Sequence, residues 1–262
     1  MAPPPGIFVH EHRSPDPDAP LVVLVPGTMD RSSSFVPVAR ALDGLAVLTY
    51  DRRGYAHSTD AEPPATSLAD HVDDLLALLD GRSAVVVGHS YGGDVALAAA
   101  LRDRRAIAAV GAFEPPTPWL PGWETPGAEA LISGEPEATA ERFFRYLVGD
   151  RTWDRLPERT REARRAEGRA LLTDVESISQ PPGPWQLEDL HDLAATTPVL
   201  LGCGRQSWPH QLRSIEQLSA AVGTEVTWID GAGHGAHVSH PADFARWVRM
   251  VVDQRRLASA AP

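Results

Sequence analysis

Lysine and asparagine are absent from this chain of 262 residues, and cysteine occurs once, at Cys203. All 24 basic side chains are therefore arginines. Without lysine the protein cannot form a Schiff base, anchor pyridoxal phosphate or supply the lysine of a phosphate-binding loop. Without asparagine it has no acceptor for N-glycosylation. A single cysteine excludes an internal disulfide, which is typical of a protein from a reducing cytoplasm.

Long apolar runs and positive charge are also scarce. No run approaches the roughly 18 apolar residues of a membrane span, and residues 1–5 have neither the basic nor the apolar region of a signal peptide. The net charge of −11 disfavours nucleic acid or an anionic membrane as a partner. We therefore expect a cytoplasmic protein, a monomer or a homodimer, that binds a small-molecule substrate and neither nucleic acid nor a membrane.

Short apolar runs alternate with helical patterns along the chain. The five consecutive apolar residues 21–25 predict a strand that is buried on both faces of a parallel sheet. Further strands are predicted at 7–12, 46–50, 85–88, 107–113, 198–202 and 225–230. Helices are predicted at 32–42, 67–79, 95–101 and 241–256. This alternation indicates an α/β fold in which helices cover both faces of a mostly parallel, twisted sheet.

Residues 115–197 interrupt the alternation. They contain helical patterns at 137–148, 157–179 and 187–193, joined by proline-rich segments, and no convincing strand. Their aromatic residues are Trp119, Trp123, Phe143, Phe144, Tyr146, Trp153 and Trp185. We predict that 1–114 and 198–262 form a core domain and that 115–197 is a helical cap over the carboxyl ends of the strands, where such sheets bind ligands. For any single one of these aromatic residues, packing of the insert on the core domain is as good an explanation as a place in a ligand-binding pocket.

A glycine–serine motif joins a predicted strand to a predicted helix at Gly88-His89-Ser90-Tyr91-Gly92. In this context the pattern G-x-S-x-G is typical of a nucleophile elbow, in which the backbone of the serine is strained and its hydroxyl is exposed. The two glycines are needed because a Cβ at either position would collide across so tight a turn. Ser90 is therefore the predicted nucleophile, and an ordinary turn serine is the simpler alternative.

A serine hydroxyl needs a base within hydrogen-bond reach, and the base needs an orienting partner. His234 follows the last predicted strand between two glycines, which let the loop turn its imidazole toward Ser90. His234, His237 and His240 are spaced three residues apart, as metal ligands on one helical face would be. Since Gly233 and Gly235 favour a loop, we predict a catalytic base here and no metal.

These motifs resemble those of the α/β-hydrolase superfamily, in particular its small capped serine esterases. The resemblance covers nearly the whole chain and rests on 26–28, 51–54, the elbow and 231–234. It implies an α/β-hydrolase fold with a helical cap inserted after the sixth strand in the family's order, which is 107–113 here. It also implies an oxyanion hole formed by the N–H groups of Tyr91 and Thr28, with Met29 as the alternative to Thr28, and no cofactor.

Two positions depart from the family's pattern. Pro26 stands where a histidine usually precedes the glycine of the oxyanion loop, which alters the support of the loop rather than its backbone donors. Ser207 stands at the commonest position of the acid, beyond the seventh strand, and a serine has no charge to stabilise an imidazolium. The alternative position of the family, at the end of the sixth strand, holds Glu114. We predict the triad Ser90, His234 and Glu114; another acid, or none, remains open.

The resemblance implies a serine hydrolase that cleaves an ester, thioester or lactone of a small, largely apolar substrate. The elbow serine argues against the aspartate-based dehalogenases and epoxide hydrolases of this fold, and the absence of lysine argues against lysine-assisted hydroxynitrile lyases. A cofactor-free lyase or C–C hydrolase of secondary metabolism, or a non-catalytic ligand-binding homologue, is the alternative. The candidate substrate-binding residues are Met29, His89, Trp119, Phe144, Trp153 and His237. Asp94, in the first turn of the elbow helix, is interpreted as a partner of the helix dipole.

Overall fold

Seven strands form one sheet in the computed structural model, which describes residues 4–123, 131–179 and 181–260. In chain order they are β1 (Val9–His12), β2 (Leu21–Val25), β3 (Ala46–Tyr50), β4 (Ala84–His89), β5 (Ile107–Phe113), β6 (Val199–Gly204) and β7 (Thr227–Ile229). Their order in space is β1-β3-β2-β4-β5-β6-β7. Only β1 runs antiparallel to its neighbour, so the prediction of a mostly parallel sheet is confirmed.

Alternate residues of the central strands face opposite sides of this sheet. Val23 and Val25 of β2 belong to the apolar core on one side, and Val22 and Leu24 belong to the core on the other side. Both faces are therefore shielded from water, which explains why the strand is continuously apolar. β2, β3 and β5 have the predicted bounds.

The α-helices of the described residues flank the sheet or belong to the segment between β5 and β6. They are α1 (Val36–Ala41), α2 (Leu68–Leu79), α3 (Tyr91–Arg102), α4 (Pro136–Val148), α5 (Asp150–Arg155), α6 (Glu158–Ala166), α7 (Gly168–Ile178), α8 (Leu187–Ala194), α9 (Pro209–Val222), α10 (Ala236–Ser239) and α11 (Pro241–Ala260). α2, α3, α8 and α9 pack on one face, and α1 and α11 pack on the other. Within the described ranges, no helix has both the length and the apolar character needed to cross a bilayer.

The helices α4 to α8 lie between β5 and β6, in the segment predicted to be an insert. Ala140 of α4 and Leu171 of α7 pack with Met29 and Tyr55 of the preceding chain in a separate apolar cluster. The single helix expected over 157–179 is wrong, because the chain turns at Glu167 between α6 and α7. The turn brings this carboxylate inward, where it is 1% exposed and accepts hydrogen bonds from Arg31 and from the N–H of Ala56.

Candidate active site

Ser90 lies in the turn between β4 and α3, with φ 54° and ψ −133°. This conformation is rare for a residue with a side chain and is held by the close packing around it. A Cβ at Gly88 would lie 1.9 Å from the carbonyl oxygen of Gly92, and one at Gly92 would lie 2.2 Å from that of Val25. The N–H of Ser90 donates to the carbonyl of Phe113 at 2.8 Å, which ties the turn to β5. The turn thus has the geometry of the predicted elbow.

His234 and Glu114 meet at the carboxyl ends of β7 and β5. The Nδ1 atom of His234 lies 2.7 Å from Oε2 of Glu114. Because a carboxylate only accepts hydrogen bonds, Nδ1 carries the hydrogen and Nε2 is left with a lone pair. His234 and Ser90 line the same cavity. The structure therefore brings all three predicted triad residues to one end of the sheet.

The other carboxylate oxygen of Glu114 faces three donors. The thiol of Cys203 donates to Oε1 at 3.3 Å, the N–H of Gly204 donates at 2.7 Å, and the hydroxyl of Ser207 donates as well. Burial raises the pKa of the Glu114 carboxyl, but the hydrogen bond and charge of His234 and these donors outweigh it, and the pKa lies below its usual value. Glu114 is therefore held as a carboxylate, and Ser207 supports it from the position where the family usually has its acid.

Gln211, in the first turn of α9, also contacts the imidazole. Its amide nitrogen lies 2.8 Å from Nδ1 of His234. Since Nδ1 has one hydrogen and we assign it to the charged acceptor Glu114, the amide of Gln211 cannot donate to this atom, and exchanging its oxygen and nitrogen positions places an acceptor there instead. No sequence motif identified this residue.

The predicted oxyanion donors lie at the start of α3 and in the loop after β2. Tyr91 is the first residue of α3, so its N–H has no partner within the helix. Thr28 and Met29 line the same cavity as Tyr91. Gly27 allows this loop to approach the elbow, because a Cβ there would lie 2.9 Å from Cβ of Ser90.

A buried arginine supports the oxyanion loop. Arg52 donates from Nε and Nη2 to the carbonyl oxygens of Pro26 and Gly27, at 2.9 and 3.0 Å. Its guanidinium also pairs with Asp174 of α7 at 2.6 Å, and Thr28 donates its hydroxyl to the same carboxylate at 2.8 Å. Burial raises the pKa of Asp174, but the charge of Arg52 outweighs it and keeps the pKa far below the usual range. This network holds the loop that begins at Pro26.

A cavity of about 1030 Å³ opens over the site, and its lining includes four of the predicted substrate-binding residues, Met29, His89, Phe144 and His237. Sequence reasoning did not assign a binding role to several other residues that line it: Asp30, Arg31, Trp123, Tyr146, Arg164 and Trp208. Tyr146 and Trp208 stack with ring centroids 4.8 Å apart, so the insert and the loop after β6 form one aromatic wall. Most of the lining is apolar.

Trp119 and Trp153 do not belong to this lining, which corrects their predicted role. Trp119 is buried edge-on against Trp185, with centroids 4.7 Å apart, and donates its indole N–H to the Trp185 carbonyl at 3.1 Å. Trp153 is fully buried, and Arg145 and Arg165 lie 5.5 and 5.6 Å from its ring centroid. Both indoles stabilise the insert rather than contacting the cavity.

A second cluster of polar side chains, those of His89, His237 and Asp30, lies beside His234. Nε2 of His89 donates to the backbone carbonyl of His234 at 2.8 Å, and Nε2 of His237 lies 3.1 Å from Oδ2 of Asp30. Burial raises the pKa of Asp30, but the neighbouring imidazoles of His237 and His89 outweigh it and the pKa lies well below its usual value. His237 belongs to α10, so the loop expected through this histidine is wrong: the chain becomes helical directly after Gly235.

Asp94 is fully buried on α3, and neither of its carboxylate oxygens has a hydrogen-bond partner among the described residues. Burial raises the pKa of this carboxyl well above its usual value. Burial thus opposes the charge that would favour Asp94 as a partner of the helix dipole, and that interpretation stays a prediction.

Comparison with known proteins agrees with this geometry. A sequence model described as the alpha/beta hydrolase family matches residues 22–247. RutD of Cronobacter turicensis, named as a proposed carbamate hydrolase, is 26% identical over 250 residues, which cover 88% of this chain and 90% of that protein. The crystal structure of MGS-M2, an alpha/beta hydrolase enzyme from a Medee basin deep-sea metagenome, is similar with a TM-score of 0.75, at 18% identity over 95% of this chain and 94% of that one. The enol-lactonase of Burkholderia xenovorans has a TM-score of 0.70 at 22% identity, over 94% of this chain and 96% of its own.

Proposed function

This chain belongs to the alpha/beta hydrolase family, and from that premise we propose that it is a serine hydrolase cleaving an ester, thioester or lactone bond of a small, largely apolar substrate. The observation that carries the proposal is the 2.7 Å contact between His234 Nδ1 and Glu114 Oε2 at a cavity whose lining also includes the strained Ser90. A half-buried imidazole that is paired with a buried carboxylate and shares a cavity with a half-buried serine hydroxyl is the arrangement that activates a serine for attack on a carbonyl.

In the proposed reaction His234 takes the hydroxyl proton of Ser90 as its oxygen attacks the carbonyl carbon. The oxyanion accepts hydrogen bonds from the N–H of Tyr91 and from that of Thr28 or Met29. Glu114 stabilises the imidazolium, which then protonates the leaving group. Water, deprotonated by His234, attacks the acyl-enzyme and releases the acid and Ser90.

We propose that the segment 115–197 acts as the cap of this site. Phe144 of α4 and Val175 of α7 line the cavity together with Ser90, so these helices would shield the acyl-enzyme from bulk solvent. The apolar lining favours an acyl or alcohol group of medium size. Because the relatives named RutD are described as proposed carbamate hydrolases, carbamates join esters as substrates to test first.

Labelling by a fluorophosphonate tests the proposal. We expect the intact protein to be labelled and Ser90→Ala to be unreactive, while Ser33→Ala, which removes another hydroxyl from the same cavity, stays reactive. Aryl esters and carbamates of graded chain length would then define the substrate. Labelling without turnover of any ester, carbamate or lactone would favour a lyase or C–C hydrolase. An intact protein that resists labelling would refute the activated serine and favour a ligand-binding role.

A further inference from the structure

Three side-chain atoms that have no hydrogen-bond partner among the described residues converge in the cavity wall. They are Oδ2 of Asp30, Nδ1 of His89 and Nε2 of His237, and all lie within 4.8 Å of one another. His89 and His237 are 5% and 3% exposed. Unpartnered buried polar atoms are costly, so a group of three in one place needs a partner. We propose that these residues form a binding site for a divalent transition-metal ion such as Zn²⁺.

The separations of the three atoms are compatible with a shared metal ion. Asp30 Oδ2 lies 3.1 Å from His237 Nε2 and 3.9 Å from His89 Nδ1, and the ring of His237 is not aligned for a hydrogen bond to the carboxylate. Zn²⁺ binds oxygen and nitrogen ligands at about 2.0–2.2 Å, which places neighbouring ligand atoms about 3 to 3.5 Å apart. Small rotations of the side chains would therefore bring all three atoms into coordination.

Hydrogen bonding and packing orient both imidazoles for this role. The Nε2 atom of His89 donates to the carbonyl oxygen of His234 at 2.8 Å, so in the neutral ring the lone pair is on Nδ1, which faces Asp30. The ring of His237 stacks on Phe35 at 4.5 Å, which fixes its plane. Two imidazoles and one carboxylate form a donor set that suits divalent ions of the zinc and iron type and leaves further coordination positions open.

Two arginines near the site have a carboxylate partner other than Asp30. Arg31 and Arg164 line the same cavity, but both pair with Glu167, at 2.9 and 3.3 Å. The carboxylate of Asp30 faces the two imidazoles and the hydroxyl of Ser34.

The proposed site shares a wall with the nucleophile. A Cβ at Gly27 would lie 2.9 Å from Cβ of Ser90 and 3.3 Å from Nδ1 of His89. Since all three ligands line the cavity, open coordination positions on the ion would face the substrate. A carbonyl, carboxylate or hydroxyl oxygen of the substrate would fill them. The site thus goes beyond the hydrolytic triad by adding a polar anchor for one end of the substrate.

Metal titration of the Ser90→Ala protein tests the site without turnover. After removal of metals with a chelator, Co²⁺ binding is followed by visible absorption and Zn²⁺ binding by calorimetry. We expect one ion per chain, and at least about 100-fold weaker binding in Asp30→Asn and in His237→Gln, since the loss of supporting groups alone costs up to about 100-fold. The matched control is the double variant His10→Gln/His12→Gln, because these imidazoles lie 4.6 Å apart on β1 and are candidates for adventitious binding. This double variant should bind the ion with unchanged affinity.

Thermal unfolding distinguishes the loss of the metal site from a loss of the fold in these variants. Zn²⁺ should raise the melting temperature of the Ser90→Ala protein and leave that of Asp30→Asn unchanged, because only a folded protein with the site gains from the ligand. No saturable binding at millimolar Zn²⁺, or binding that survives Asp30→Asn and His237→Gln and disappears in the β1 control, would overturn the proposal. Fluorophosphonate labelling of Ser90 in the presence of a chelator reports on the triad separately, so the two proposals can fail independently.

Discussion

Replacement of Glu114 by glutamine tests the least expected member of the proposed triad. Among the described residues, three donors face Oε1, from Cys203, Gly204 and Ser207, while His234 is the one that faces Oε2. An amide offers one accepting oxygen, and the larger number of donors directs that oxygen toward the Oε1 position. The NH₂ group then points at His234 and requires a lone pair on Nδ1. The imidazole hydrogen is displaced to Nε2. This nitrogen then has no lone pair with which to accept the proton of Ser90.

The expected loss is large because it combines the wrong tautomer with a lost charge. In the serine protease triad the corresponding aspartate-to-asparagine change lowers kcat by about 10⁴. We expect Glu114→Gln to lower kcat by about 10³ to 10⁴, or roughly 4 to 5.5 kcal/mol of transition-state stabilisation. KM should change little, since His234 acts on the reacting proton and not on the bound ester.

The assay is steady-state hydrolysis of the best aryl ester, with Ser207→Ala as the matched control. Ser207 donates to the same carboxylate, but its hydrogen bond is present before and during the reaction, so its removal should lower kcat less than about tenfold. Circular dichroism and unfolding midpoints would exclude a folding defect. Equal, small effects of the two substitutions would refute Glu114 as the acid.

Two further predictions concern stability. Asp174→Asn leaves the guanidinium of Arg52 buried without its charge partner, so unfolding free energy in urea should fall by about 3–5 kcal/mol; Asp150→Asn, which removes an exposed partner of Arg145, should cost less than about 1 kcal/mol. Asp94→Asn should stabilise the protein as pH rises. Because folding raises the pKa of Asp94, the unfolded chain loses that proton first, and native stability falls above the usual aspartate pKa of about 4. The two proteins should therefore be most similar in urea midpoint at the acid end and diverge toward pH 7; parallel midpoints would contradict this.

The fold could be predicted from sequence where burial alone determines the pattern. Buried parallel strands are continuously apolar and end at turn-forming residues, so 21–25, 46–50 and 107–113 were located to the residue. The division of 157–179 into α6 and α7 was missed, because both halves keep helical periodicity. What separates them is the burial of Glu167 against Arg31, a contact between residues 136 positions apart that periodicity does not reveal.

The site could be predicted where a motif dictates the backbone. The glycines of the elbow and those beside His234 distinguish Ser90 and His234 from the other serines and histidines of the chain. Residue type alone would not do so. Asp30 and Gln211 carry no such mark: one follows the oxyanion loop and the other lies on a helix, and only the tertiary fold brings them to the imidazoles. For the aromatic residues of the insert, composition predicts burial but not which buried surface each ring joins. Phe144 therefore lines the cavity, whereas Trp153 packs behind it with ring centroids 5.7 Å apart.

The support of the oxyanion loop links the insert to the chemistry. Arg52 binds the carbonyls of the loop and, because it is buried, needs a buried counter-charge. That charge is Asp174, which belongs to α7 and also accepts the hydroxyl hydrogen of Thr28. Since the helix that provides this carboxylate also lines the cavity, the loop keeps this support only while α7 is docked. In this chain the insert therefore contributes to the geometry of the proposed oxyanion hole as well as to the wall of the cavity.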